Sequence, residues 1–131
     1  MPAIERYMSR QPWTISPRDT LAVARERMRE HDIRHLPVID GRELVGIVSA
    51  RDLYMLQSVA GVNACETRVH EAMTEQVYAV PPDAPVAEVA TVMSERKLGS
   101  AVVMRDGVAQ GIFTTVDACR ALAEILESVD G

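Results

Sequence analysis

The seven residues GIVSARD (46–52) return as GIFTTVD (111–117): glycine, two apolar residues, a hydroxyl residue, two variable positions and an aspartate. The offset of 65 between them holds without a gap along the chain, setting Met8 on Met73, Gln11 on Gln76, Trp13 on Tyr78, Pro17 on Pro82, Met28 on Met93, Glu30 on Glu95 and Val38 on Val103. Such a repeat constrains the fold more than composition does, because each copy must form the same supersecondary unit and bury its apolar face against something. The 131 residues are one domain's worth, or two half-size units sharing a core. They divide into a first repeat over 1–60, a linker over 61–68 and a second repeat over 69–131.

Period and punctuation give the structure of one copy. WTIS (13–16) is a short extended run ended by Pro17, and Asp19 is placed to cap a helix whose Leu21, Ala24 and Met28 fall at helical spacing. LPVID (36–40) and LVGIVSA (44–50) are β-branched runs joined through Asp40-Gly41, a hairpin signal. A second helix starts near Arg51 and carries Leu53, Leu56 and Val59. The order β-α-β-β-α recurs in the second copy. There VYAV precedes Pro81-Pro82, and Pro85 suits a first helical turn before Val86, Val89, Ala90 and Met93. AVVM, the turn Asp106-Gly107, VAQGIFT and a last helix through Leu126 follow. The fold class is α/β of the α+β type. One three-stranded sheet with two helices leaves an apolar face in water, so the two copies are expected to pack together.

Composition removes several classes of function. With 47% hydrophobic and 25% charged residues the chain is neither collagen-like nor disordered. A net charge of −5 argues against a nucleic-acid surface, which needs a basic stripe to displace counterions. No apolar run is long enough to span a bilayer, and MPAIERYMSR carries charges where a signal peptide is apolar, so no membrane partner and a cytoplasmic location are expected. Cys65 and Cys119 lack a CxxC partner and read as small buried or half-buried thiols, not as a metal site. Lys97 is the only lysine, so nearly all positive charge is arginine, whose planar fork suits phosphate or carboxylate.

The segments YMSRQPWTISP and AMTEQVYAVPP, the strand IRHLPVID, and the Gly-apolar-apolar-Ser/Thr-x-x-Asp end of each copy resemble the cystathionine-β-synthase (CBS) domain over nearly the whole chain. The resemblance implies a tandem pair about a pseudo-twofold axis, assembly into a homodimer, and adenosine-containing ligands in two clefts. Asp52 and Asp117 would accept hydrogen bonds from ribose hydroxyls, with Ser49 and Thr114 at the junction where helix N–H groups favour phosphate. The alternative for Ser49 and Asp52 is a plain helix cap.

By the same resemblance each cleft is composite. One takes Thr114 and Asp117 with Trp13, Thr14, Ile15, Arg34 and His35. The other takes Ser49, Arg51 and Asp52 with Tyr78, Ala79, Val80, Gly99 and Ser100. Arg34 and His35 make the Asp117 cleft the more basic and the tighter of the two. The first-strand backbones would grip adenine, while the rings of Trp13 and Tyr78 serve equally as ligand, core or dimer contacts.

The function expected is a non-catalytic regulatory module binding AMP, ADP, ATP, NAD or S-adenosylmethionine, with Mg²⁺ allowed as a companion of ATP and an unidentified effector protein as partner. The alternative is a pair with empty clefts that only dimerises or docks. Leu53, Leu56, Leu122 and Leu126 are the expected dimer faces. An enzyme is disfavoured. His31 and His35 are four apart, but Asp32 stands where a zinc helix needs glutamate and the helix should end between them.

Overall fold

The computed structural model describes residues 2–10 and 13–130; Gln11 and Pro12 of the leading motif lie outside them. Its elements run β1 (Ser9–Arg10), α1 (Leu21–His31), β2 (His35–Asp40), β3 (Glu43–Ser49), α2 (Ala50–Gln57), β4 (Ala79–Val80), α3 (Val86–Arg96), β5 (Ser100–Arg105), β6 (Val108–Thr114) and α4 (Thr115–Asp130). The mixed α/β class expected from the repeat is present, and the full β-α-β-β-α order appears in the second copy; in the first, the expected strand WTIS makes only the single bridge Ile15 to Val38. Two compact units form. Trp13–Val77 make one, and the segment up to Arg10 joins Tyr78 onward to make the other.

These units do not follow the repeat boundaries, and unmet backbone donors explain why. The first N–H groups of a helix have no partner inside it. In α1 the Leu21 N–H donates to the Thr67 carbonyl and the Ala22 N–H to the Ala64 carbonyl, both 2.9 Å, so residues 61–68 cap a helix as well as connecting the repeats. In α3 the Val86 N–H donates to Pro2 at 2.9 Å, the same bond moved by 65 positions. Ile4 and Val69, equivalent by that offset, are both fully buried. Each copy is therefore completed by the segment preceding the other.

The sheets carry the same signature. The four-stranded sheet has the order β1-β6-β5-β4, with β4 parallel to β5 and the other pairs antiparallel. The expected three strands gain β1 because Ser9 and Arg10 lie against Ile112 and Gly111. In the other unit β2 and β3 form the sheet, and the flanking positions reduce to the bridges Ile15 to Val38 and Ile47 to Thr74. The glycine that opens each repeated heptapeptide makes this close approach feasible. A Cβ on Gly46 would lie 2.7 Å from the Met73 sulfur and 2.9 Å from the Thr74 carbonyl oxygen. On Gly111 it would lie 2.5 Å from the Met8 sulfur and 2.7 Å from the Ser9 oxygen.

Each unit has its own core. One gathers Ile15, Leu21, Leu36, Val38, Val48, Leu53 and Val69, the other Ile4, Val89, Met93, Val103 and Phe113. Several local expectations need correction. Thr20, not Asp19, caps α1 by accepting the Val23 N–H, while the Asp19 carboxylate accepts the Ser16 N–H at 3.1 Å. Val59 lies beyond the end of α2 and is exposed. Leu53 fills its own unit's core at 3% exposure and offers no dimer face. Cys65 and Cys119 are exposed rather than buried. In α4 the inward face is set by Asp117 and Ala121, four apart, and Cys119 falls between them on the far side.

Candidate functional site

In each hairpin the second strand runs into a helix with no intervening residue, and the hydroxyl and aspartate of the repeated heptapeptide lock that corner. The Asp52 N–H donates to Ser49 Oγ at 3.1 Å, and the Ser49 N–H donates to Asp52 Oδ2 at 2.9 Å, a reciprocal capping box. The cap reading of these two residues therefore holds, and it uses only one carboxylate oxygen. Asp52 is half-buried and lines an open groove of about 290 Å³ with Met55, Leu56, Val59, Glu71 and Ala72. Among the described residues Oδ1 has no hydrogen-bond partner.

The start of β2 lies against this corner. His35 is paired with Ser49, and the Ala50 N–H donates to the Arg34 carbonyl at 2.8 Å. Burial pushes the His35 imidazole below its ordinary value of 6.5, the Asp52 carboxylate pulls it back up, and the Arg34 charge pushes it down. Arg34 and Arg51 are exposed, and among the described residues neither has an ion-pair partner. One unit thus brings together Arg34, His35, Ser49, Arg51 and Asp52: two free cations, a neutral-leaning imidazole and a carboxylate with an open oxygen.

The second copy builds the same corner and then fills it. The Thr114 N–H and hydroxyl both donate to Asp117 Oδ2, at 2.9 and 3.2 Å. The Ser9 hydroxyl and the Arg120 guanidinium donate to Oδ1, at 3.1 and 2.9 Å. Asp117 is 2% exposed, the one buried charged residue among those described. Gly99 and Ser100 stand where Arg34 and His35 stand in the first copy; Ser100 pairs with Thr114, and the Gly99 carbonyl accepts the Thr115 N–H at 3.2 Å.

The first-strand segments are tied into their own units. Ile15 spends both backbone groups on β2, donating to Pro37 and accepting from Ile39, and the Thr14 carbonyl accepts Arg27 Nη1 at 2.6 Å. The Trp13 indole stacks on His31 with 3.6 Å between ring centroids. Ala79 and Val80 pair with Val102 and Val103, and the Tyr78 carbonyl accepts the Val102 N–H at 2.9 Å. The Arg96 guanidinium lies over the Tyr78 ring at 5.8 Å, and Arg96 is the equivalent of His31 by the repeat offset. Burial, then Glu88, raises the Tyr78 hydroxyl pKa, and Arg96 opposes them. Both aromatics are thus held by the last residue of the helix that follows them.

Sequence reasoning did not single out Ser9, Arg120 or the groove along α2. The signal was present in the offset, which sets Ser9 on Thr74 and Arg120 on Met55 and so marks the two corners as chemically different. Among the described residues no group of three His, Cys, Asp or Glu side chains could hold a metal ion. Nor is any helix there long and apolar enough to cross a membrane.

The family model for the CBS domain matches residues 4–58 and 69–124. Among curated relatives, the inosine-5'-monophosphate dehydrogenase of Korarchaeum cryptofilum is 36% identical over 114 residues, covering 86% of this chain; the chain spans only 23% of that enzyme. Among solved structures, an acetoin utilization protein (AcuB) assignment from Vibrio cholerae aligns with TM-score 0.86 and 36% identity over 99% of this chain and 96% of that one. The CBS domain pair of protein MJ0100, in complex with 5'-methylthioadenosine and S-adenosyl-L-methionine, aligns with TM-score 0.86 and 26% identity over 95% and 98%.

Proposed function

The chain belongs to the CBS domain family, and on that premise we propose that it is a non-catalytic regulatory module that binds an adenine nucleotide or a related adenosyl ligand. The observation that carries this reading is Asp52. Its carboxylate is fixed by the cap through one oxygen, the other oxygen has no hydrogen-bond partner among the described residues, and the residue lines an open groove, so a ribose hydroxyl can donate to it. Arg34, His35 and Arg51 lie in the same unit and suit the phosphate or carboxylate end of such a ligand. The likeness to the MJ0100 pair with its two adenosyl ligands supports the ligand class.

The family resemblance offers Trp13, Thr14, Ile15, Arg34, His35, Ser49, Arg51, Asp52, Tyr78, Ala79, Val80, Ser100, Thr114 and Asp117 as ligand contacts for two clefts, one at each aspartate, with Mg²⁺ entering only alongside ATP. A homodimer and an effector protein complete it. Ligand binding would shift the population of one conformation that the effector reads.

A second reading, in which the pair only dimerises or docks, is favoured by two observations. Asp117 is fully engaged inside its own unit, and α4 exposes Leu122, Ile125, Leu126 and Val129 along one side. Equilibrium dialysis against AMP, ADP, ATP, NAD, S-adenosylmethionine and 5'-methylthioadenosine separates the two. Saturable binding of one of them, weakened in Asp52→Ala, supports the regulatory reading; no retention of any at millimolar concentration leaves the docking one.

A further inference from the structure

The two copies differ most where the repeat is otherwise most faithful. The groove beside Asp52 is walled by Met55, Leu56, Val59, Glu71 and Ala72. By the offset of 65, their equivalents beside Asp117 are Arg120, Ala121, Glu124, Arg6 and Tyr7. There Arg120 reaches Asp117 at 2.9 Å, and Arg6 crosses to Glu124 at 3.2 Å, with its guanidinium over the Tyr7 ring. Ser9 adds a hydroxyl to Asp117 Oδ1, leaving the carboxylate only 2% exposed. The apolar and acidic walls of one copy have become two ion pairs across the other.

We infer that the second copy closes its own acceptor, so that each chain takes one adenosyl ligand, at Asp52. This rests on the adenosyl reading above, and it reverses the expectation that Asp117 serves the tighter cleft. A ligand at Asp117 has to displace a charged and a neutral hydrogen bond from the same oxygen before it gains any of its own. A ligand at Asp52 Oδ1 displaces only solvent. Arg120 and Ser9 are therefore specificity-determining residues. They act by occupying the carboxylate that a ribose would otherwise use.

Isothermal titration of the full chain with ATP, AMP, S-adenosylmethionine and 5'-methylthioadenosine tests this. The expected result is one site per chain, weakened roughly 10- to 100-fold in Asp52→Ala, the loss of one charge-assisted contact. Arg120→Met combined with Ser9→Ala, which gives the second corner the first one's methionine and frees Oδ1, should add a second binding event. That variant keeps the Thr114 cap, and a cooperative urea transition checks that it is folded before titration. Two equal sites in the unaltered chain, tight binding retained in Asp52→Ala but lost in Asp117→Asn, or no second event in the double variant would each overturn the inference while leaving the adenosyl reading standing. No heat with any of the four probes overturns the reading, and the inference with it.

Discussion

At the residue scale the repeated heptapeptide is three devices in one. Its glycine admits the segment that completes the sheet, its hydroxyl caps the helix, and its aspartate both closes the cap and offers an acceptor. The glycines are the least replaceable. Gly46→Ala or Gly111→Ala forces a methyl against a sulfur and a backbone oxygen and should cost about 1–3 kcal/mol, read as a drop in urea midpoint at unchanged slope. Adding Met8→Ala to Gly111→Ala should not rescue it, because Met8 is itself a buried core residue and the Ser9 carbonyl oxygen still lies 2.7 Å from the new methyl.

The same scale separates the two aspartates. Asp117→Ala removes the acceptor shared by the Ser9 hydroxyl, the Arg120 guanidinium and the Thr114 cap and leaves a void where a buried carboxylate sat, at a cost of roughly 1–3 kcal/mol. Asp52→Ala removes one cap bond and should cost less. His35 gives a pH dependence. Its imidazole binds a proton less readily folded than unfolded, so its contribution is full above pH 6.5 and falls away as pH drops below that value. Melting midpoints should decline on that acid side in the unaltered chain, and His35→Gln should flatten the decline. A steeper decline in His35→Gln would contradict the assignment.

At the element scale much was legible in the sequence. Helical spacing placed Leu21, Ala24 and Met28 correctly, as it did Val86, Val89 and Met93, because these positions face a core whose period is that of the helix. The hairpins were legible from β-branched runs, but one turn was not. Its loop is Gly41-Arg42, whereas the second copy uses Asp106-Gly107, with both residues at positive φ. Pairing register decides which residues turn, and a dipeptide alone does not reveal register. The cap of α1 moved from Asp19 to Thr20 for a related reason: both side chains can accept an N–H, and Ser16 had already claimed Asp19.

The amphipathic side of α4 is an element without a partner in its own unit. Leu122 and Leu126 were expected there and are 57% and 53% exposed. The proposed homodimer would cover them. Light scattering at tens of micromolar should give twice the chain mass, and Leu122→Asp with Leu126→Asp should give the monomer. A monomeric mass for the unaltered chain would contradict this part of the proposal.

At the scale of the whole molecule, the chain's path was the part least visible in the sequence. A gapless offset of 65 shows two copies but not which leading segment completes which copy, since residues 2–10 and 67–75 are equivalent and either assignment fits the spacing. Backbone hydrogen bonds decide it: Pro2 serves α3 and Thr67 serves α1. Deleting residues 2–10 should therefore raise amide exchange in α3, β6 and α4, distant in sequence, more than in β2 and β3.

The acceptor at Asp52 was legible as a residue type at a corner. Its difference from Asp117 was only partly legible: Arg120 lies three positions on along the same helix and breaks the repeat, but the contact from Ser9, 108 positions away, depends on the fold. The central claim is that this carboxylate binds an adenosyl ligand. The most direct measurement is the melting midpoint of the unaltered chain and of Asp52→Ala across AMP, ADP, ATP, NAD, S-adenosylmethionine and 5'-methylthioadenosine. At about 100 times its dissociation constant, a ligand of the native state adds about 2.7 kcal/mol, or roughly 5–15 °C at this chain length. The account predicts that rise for one adenosyl ligand in the unaltered chain and its loss in Asp52→Ala at the same ligand concentration. A flat response across the panel, or a rise undiminished in Asp52→Ala, would contradict it.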